Sequence, residues 1–142
     1  MTRLLILEAR YYNEINDNLL AGVKKACDDA KATFDVVAVP GSYELPSALN
    51  MARQSKTNYD GYVLLGCVIR GATSHYDHIC DSVFQTVQDL VVANNLALGQ
   101  GILTCENYDQ AFERADPTNM NYGGKAAKAA LTMIDLKKKM GQ

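Results

Sequence analysis

Short apolar runs alternate with longer amphipathic stretches along this chain. Runs of aliphatic and β-branched residues predict β-strands, and runs without a polar interruption are typical of strands buried on both faces of a sheet. The four predicted strands are Leu4–Leu7, Phe34–Val39, Tyr62–Leu65 and Ile102–Thr104, with Gly99 to Gly101 opening the last one.

The stretches between these runs carry apolar residues at helical spacing and predict five helices. The first helix carries the stripe of Ile15, Leu19 and Val23, and the second has Pro46 in its first turn. The third starts near Tyr76 and ends at Asn94–Asn95. The fourth covers Asp109–Ala115, and the fifth starts after Gly123–Gly124. The resulting order, β-α-β-α-β-α-β-α-α, predicts an α/β fold. We expect a three-layer α/β/α sandwich around a mainly parallel, four-stranded sheet of the flavodoxin-like type.

Length and composition narrow the class of protein. The 142 residues contain no linker or low-complexity stretch, so we expect a single domain over residues 1–142. With 48% hydrophobic and 21% charged residues, the composition is globular rather than disordered. The net charge of -2 and the lack of a basic block argue against a nucleic-acid surface. No signal peptide or membrane span is evident, so we expect no membrane partner.

The cysteines and histidines give no sign of a metal site. The four cysteines form no CxxC pair, and the chain has two histidines, so we expect neither structural zinc nor another bound metal. Reduced thiols fit a cytoplasmic location.

Four unusual loops follow the predicted strands. They are Ala9–Asn13, Pro40–Glu44, Gly71–His75 and Thr104–Asn107. In a parallel sheet, ligands bind outside the carboxyl ends of the strands. We therefore expect these loops to meet in one crevice.

The loop Gly71–His75 carries the most distinctive chemistry. Small residues between a strand and a helix leave backbone N–H groups free at the positive end of the helix, which suits an anion. Thr73 adds a hydroxyl, and His75 adds a side chain that exchanges protons near neutral pH. The alternative is an ordinary helix start with a surface histidine.

The other loops also allow two interpretations. Tyr11 or Tyr12 could stack on a flat heterocycle, or both could cap the core at a strand end. Ser42 and Glu44 could hold a polyol, or they could cap the following helix. Arg114, taken alone, is typical of a surface side chain.

Read together, the loops resemble the 6,7-dimethyl-8-ribityllumazine synthase family of riboflavin biosynthesis. The matching motifs run from about Leu4 to Lys139. They are Ala9-Arg10-Tyr11 with Asn13, the segments Val39–Pro46, Gly66–Asp77 and Gly101–Thr104, Glu106-Asn107, Gln110-Ala111 with Arg114, and the helix with Ala126-Ala127.

The resemblance implies a reaction and an assembly. The reaction condenses 5-amino-6-(D-ribitylamino)uracil with 3,4-dihydroxy-2-butanone 4-phosphate, releasing phosphate and water, without a metal or organic cofactor. The family site lies between neighbouring subunits of a homopentamer, which stays single, pairs or builds an icosahedral shell of sixty. Riboflavin synthase is the candidate protein partner.

The resemblance also assigns roles to residues. Tyr11 would stack on the pyrimidine, Val68 and Ile69 would line the ring pocket, and the ribityl chain would be held by Ser42, Tyr43 and Glu44. The phosphate would be bound by Ala72 and Thr73, with Arg114 as its cation. His75 would transfer the proton. Two positions depart from many family members. Gln100, counted among the substrate-binding candidates, replaces a phenylalanine, and Tyr122 replaces a lysine.

Two alternatives to an enzyme stay open at this point. The chain could be a binding module that carries or senses a flavin or lumazine, or a shell protein without turnover. Intact Thr73, His75 and Arg114 argue against both, because binding alone needs no proton carrier.

Overall fold

The computed structural model describes residues 1–142 and contains one four-stranded sheet. The strands are β1 (Arg3–Ala9), β2 (Thr33–Val39), β3 (Gly61–Ile69) and β4 (Leu98–Cys105). Their order is β2-β1-β3-β4, and every neighbouring pair is parallel. Parallel neighbours need crossover connections, which here are helices, so the predicted α/β topology is confirmed.

Helices cover both faces of this sheet. They are α1 (Asn13–Ala30), α2 (Leu45–Arg53), α3 (His75–Asn94), α4 (Tyr108–Ala115) and α5 (Tyr122–Lys139), and a 3₁₀ turn, Ser42–Glu44, precedes α2. Alternate strand residues point to opposite faces. Leu4 and Ile6 pack with α1, α4 and α5, whereas Leu5 and Leu7 pack with α2 and α3. The predicted three-layer sandwich is confirmed.

Strand β3 is longer than its sequence pattern indicates. The prediction ended it at Leu65, but its pairing with β4 continues to Ile69, opposite Cys105. Gly66 therefore lies inside the strand rather than in the turn. A Cβ at Gly66 would come within 2.9 Å of Ser42 Oγ, so the absent side chain makes room for the loop before α2.

Two further boundaries differ from the prediction. Strand β4 already begins at Leu98, because pairing with Tyr62 and the residues after it overrides the low strand propensity of its glycines. Helix α5 begins at Tyr122, so Gly123 and its neighbour lie in its first turn rather than before it. A Cβ at Gly123 would collide with the Leu19 carbonyl, and α1 and α5 pack closely at this point.

All four cysteines are free. None of the helices has the length and apolar character that crossing a bilayer requires. No three His, Cys, Asp or Glu side chains are grouped so that they could hold a metal ion.

Candidate active site

A cavity of about 310 Å³ lies at the carboxyl ends of the central strands. Its walls come from three of the predicted loops, the end of β3 and the first turn of α3. The lining residues are Tyr11, Tyr12, Gly41, Ser42, Tyr43, Cys67, Val68, Ile69, His75 and Ile79. A wider concavity of about 680 Å³ is lined by α3 residues alone and brings no loops together. The smaller cavity is the candidate site, because different elements converge on it.

The two adjacent tyrosines have separate environments. Tyr11 is 72% exposed at the cavity, so it does not cap the core. Tyr12 packs against the core below α1, and burial raises its pKa. Their rings meet edge to face with centroids 4.9 Å apart. Tyr12 thus supports the ring of Tyr11, whose free face is available for stacking on a flat ligand.

The loop before α2 presents a hydroxyl and a phenol to the cavity. Ser42 lies over Gly66, and Tyr43 is 62% exposed. Glu44 is half-buried beside the lining residues, and its backbone N–H donates to the Gly41 carbonyl at 3.1 Å. The Glu44 side chain forms no capping hydrogen bond to α2, so its carboxylate is not used as a helix cap.

The floor of the cavity is apolar. Val68 and Ile69 are half-buried at the end of β3, and Ile79 closes the floor from α3. Cys67, which precedes them on β3, is buried and also lines the cavity; burial raises the pKa of its thiol to about 12, with a smaller contribution from Cys105. The thiol is therefore uncharged at neutral pH, and the floor suits a flat, uncharged ring.

The turn before α3 is open to solvent. Residues Gly71–His75 are exposed, and His75, the first residue of α3, lines the cavity. The His75 backbone N–H donates to Thr73 Oγ1 at 3.3 Å. Ser74, at the N-cap, makes no side-chain capping bond, so the other first amides of α3 are free for an anion. Ala72 and Thr73 lie on this turn, beside the cavity rather than in its lining.

Gln100 and Arg114 are not brought into the cavity of a single chain. Gln100 is exposed on β4, an edge strand, and pairs with Leu64. It lies five residues before Cys105, where β4 ends, so it is about 17 Å from the carboxyl end of that strand. Arg114 on α4 donates from Nη1 to the Gln110 carbonyl at 3.2 Å. It takes part in no ion pair, so its charge is uncompensated.

The prediction that four loops meet in the crevice is correct for three of them. No residue of Thr104–Asn107 lines the cavity. Tyr122 stands where the resemblance implies a lysine, and Lys125 Nζ lies 5.2 Å from the centroid of the Tyr122 ring. A cation is therefore present near that position.

Four lining residues were absent from the sequence-based site, namely Tyr12, Gly41, Cys67 and Ile79. Gly41 and Tyr12 belong to loops that the sequence already singled out. Ile79 stands one helical turn after His75, so helical spacing alone would have placed it on the same face. Cys67 lies next to Val68 near the end of β3. It could be placed in the cavity only once the end of that strand was known, and the prediction had ended the strand too early.

Sequence comparisons with known proteins point to one family. The family model described as 6,7-dimethyl-8-ribityllumazine synthase matches residues 1–138. A protein of that name from Bartonella tribocorum is 50% identical over 138 residues, which are 97% of this chain and 91% of the relative. Another from Agrobacterium fabrum is 49% identical over 142 residues, covering 97% of this chain and 96% of the relative. The chain therefore belongs to the 6,7-dimethyl-8-ribityllumazine synthase family.

Proposed function

We propose that the protein condenses 5-amino-6-(D-ribitylamino)uracil with 3,4-dihydroxy-2-butanone 4-phosphate to 6,7-dimethyl-8-ribityllumazine, the penultimate step of riboflavin biosynthesis. Family membership supports this reaction, and one structural observation carries it. An exposed aromatic ring, an apolar floor and a histidine at an open helix N-terminus surround a single cavity. These groups suit a flat ring, a phosphate and a proton transfer, which the reaction brings together.

The pyrimidine substrate is assigned to the side of the cavity near β1. Tyr11 stacks on its ring, and Val68 and Ile69 contact the ring from the floor. The ribityl hydroxyls are held by Ser42, Tyr43 and Glu44. This assignment is supported by the exposure of Tyr11 and by the Glu44 carboxylate. Because that carboxylate makes no capping hydrogen bond to α2, it is free to accept hydrogen bonds from a polyol.

The phosphate is assigned to the turn before α3. Ala72 and Thr73 offer backbone and hydroxyl donors there, and Arg114 supplies the positive charge. His75 transfers the proton as phosphate leaves and the resulting enol-like species rearranges, which requires a positioned acid or base. Holding both substrates in one cavity supplies much of the remaining acceleration.

The site assignment requires a second copy of the chain, so we propose an assembly built on homopentamers. Gln100 and Arg114 lie outside the single-chain cavity and would reach a site only from a neighbour. Two surfaces support association. Of the 20 residues of α3, only Val83 and Val87 are buried, and the edge strand β2 exposes Val36 by 38% and Val37 by 46% on opposite faces.

Light scattering tests the assembly. A mass that is a multiple of five chains at micromolar concentration is expected, and the multiple distinguishes a pentamer, a decamer and an icosahedral shell of sixty. A stable monomer near 15.5 kDa would contradict the proposal. Riboflavin synthase as partner and a cytoplasmic location stay predictions from the sequence.

Turnover is tested by mixing the purified protein with both substrates and following the fluorescent lumazine. The same mixture without protein is the control, because the substrates condense slowly in water. We expect formation well above that background. Tight substrate binding without product above the uncatalysed rate would instead favour a carrier or sensor module.

A further inference from the structure

Arg70 joins three elements beside the candidate site. It directly follows β3, and its Nε donates to Glu106 Oε2 at 2.8 Å, just after β4. Its two terminal nitrogens lie 3.4 and 3.3 Å from the two carboxylate oxygens of Asp77, in the first turn of α3. One guanidinium therefore ties the carboxyl ends of β3 and β4 to the N-terminus of α3.

Two more contacts strengthen this attachment. The Arg70 backbone N–H donates to the Cys105 carbonyl at 2.9 Å. Arg70 Cζ lies 4.3 Å from the centroid of the Tyr76 ring, a cation–π distance. The hydrogen bond to Asp77 is the main reason that the pKa of Arg70 is raised. The guanidinium thus has hydrogen-bond or ion-pair partners along its edges and an aromatic ring against its face.

The segment between these attachments has little support of its own. Residues Gly71–His75 are exposed, the space where a Gly71 side chain would lie is empty to 4 Å, and the bond from the His75 N–H to Thr73 is the one internal side-chain contact. Its conformation must therefore depend on its ends. Arg70 is one end, and Tyr76 with Asp77 forms the other.

We infer that Arg70 is a positioning residue that sets the phosphate-binding turn and His75 through its contacts with Asp77 and Glu106. This inference rests on the proposed assignment of phosphate to that turn. Direct binding of the phosphate by Arg70 is the competing role. It is disfavoured because a phosphate at this guanidinium would meet two carboxylates that already compensate its charge.

The Asp77→Asn variant separates the two roles. If Arg70 positions the turn through Asp77, losing the carboxylate raises KM for the butanone phosphate by roughly 2- to 5-fold, the range for an exposed ion pair. If Arg70 binds phosphate directly, the same variant frees it and lowers that KM. KM for the ribitylaminouracil should stay within about twofold, because its contacts lie on the other loops.

Further variants complete the test. Arg70→Met should raise KM for the butanone phosphate by about 10-fold, since it removes both ion pairs and the cation–π contact, and Arg70→Lys should recover part of the loss. The double variant Arg70→Met/Asp77→Asn should be no worse than Arg70→Met, because the two share one interaction. Asp29→Asn, which breaks the exposed Lys25–Asp29 pair at 3.5 Å on α1, is the matched control and should leave both KM values unchanged.

Hydrogen exchange gives a readout that does not need turnover. Amides of residues 71–77 should exchange faster in Asp77→Asn than in the wild type, and those of α5 should not. If the wild type forms no product, the proposed function fails. The exchange result still shows whether Arg70 holds the turn through Asp77. Unchanged exchange, a lowered KM for the butanone phosphate, or equal weakening of both substrates together with a lower Tm would each overturn the positioning role.

Discussion

Replacing Arg114 by alanine removes the cation that the site assignment gives to the substrate phosphate. The side chain is half-buried, donates one hydrogen bond to the Gln110 carbonyl at 3.2 Å and has no ion-pair partner. The fold should therefore lose little, on the order of 1 kcal/mol. A hydrogen bond from a charged group contributes about 1.5–3 kcal/mol, so affinity for the butanone phosphate should fall by about 10- to 150-fold.

Steady-state kinetics with each substrate varied in turn measures this loss. KM for the ribitylaminouracil should change little, because that substrate carries no phosphate. Arg114→Lys should recover only part of the loss, since lysine keeps the charge without the planar fork. Arg53→Ala is the matched control. Arg53 ends α2 and donates to Asn50 Oδ1 at 2.8 Å. Equal weakening of both substrates by Arg114→Ala would refute the phosphate assignment and indicate a role in folding or assembly.

Three other residues, namely His75, Cys67 and Tyr59, allow tests of the site and its surroundings. His75→Ala should slow single-turnover product formation toward the low end of the roughly 10²–10⁴-fold range for acid–base groups, with assembly kept; an unchanged rate would remove His75 from the mechanism. Cys67, with its pKa raised from 9.0 to about 12, should react with iodoacetamide at pH 8 about 10³-fold more slowly in the folded than in the unfolded protein. Because the folded pKa is the higher one, its contribution to stability is full below 9.0 and is lost as pH rises toward about 12. Tyr59→Phe removes the bond of 2.8 Å that chiefly lowers the pKa of Asp35, so NMR titration should show that pKa rising toward its ordinary value.

Most of the fold could be predicted from local pattern. Parallel strands buried on both faces carry continuous apolar runs, and helices with one core face carry periodic ones, so the element order followed directly. The boundaries failed where tertiary contacts decide. Gly66 looks like a turn residue in the sequence, yet backbone pairing with β4 keeps it inside β3, where the loop before α2 comes close. Nothing within a short window encodes such proximity.

The candidate site was predictable to the extent that topology places it. Tyr11, Ser42 and His75 follow three strands that end at one edge of the sheet, so their convergence needs no knowledge of packing. Ile69 and the rest of the floor required the true end of β3. Gln100 could not be placed from the sequence, because its position on an edge strand, about 17 Å before the carboxyl end of β4, depends on register.

The sequence does not show which arginines are paired with carboxylates, as Arg70 and Arg114 illustrate. Both are arginines near motifs that the sequence assigns to phosphate. The fold brings Asp77 and Glu106 to the first and no carboxylate to the second, and Glu106 is 36 residues away from Arg70 in the chain. A phosphate is attracted by charge that is not already balanced. We therefore expect Arg114 to supply the electrostatic part of phosphate binding and Arg70 to act by holding the turn in place.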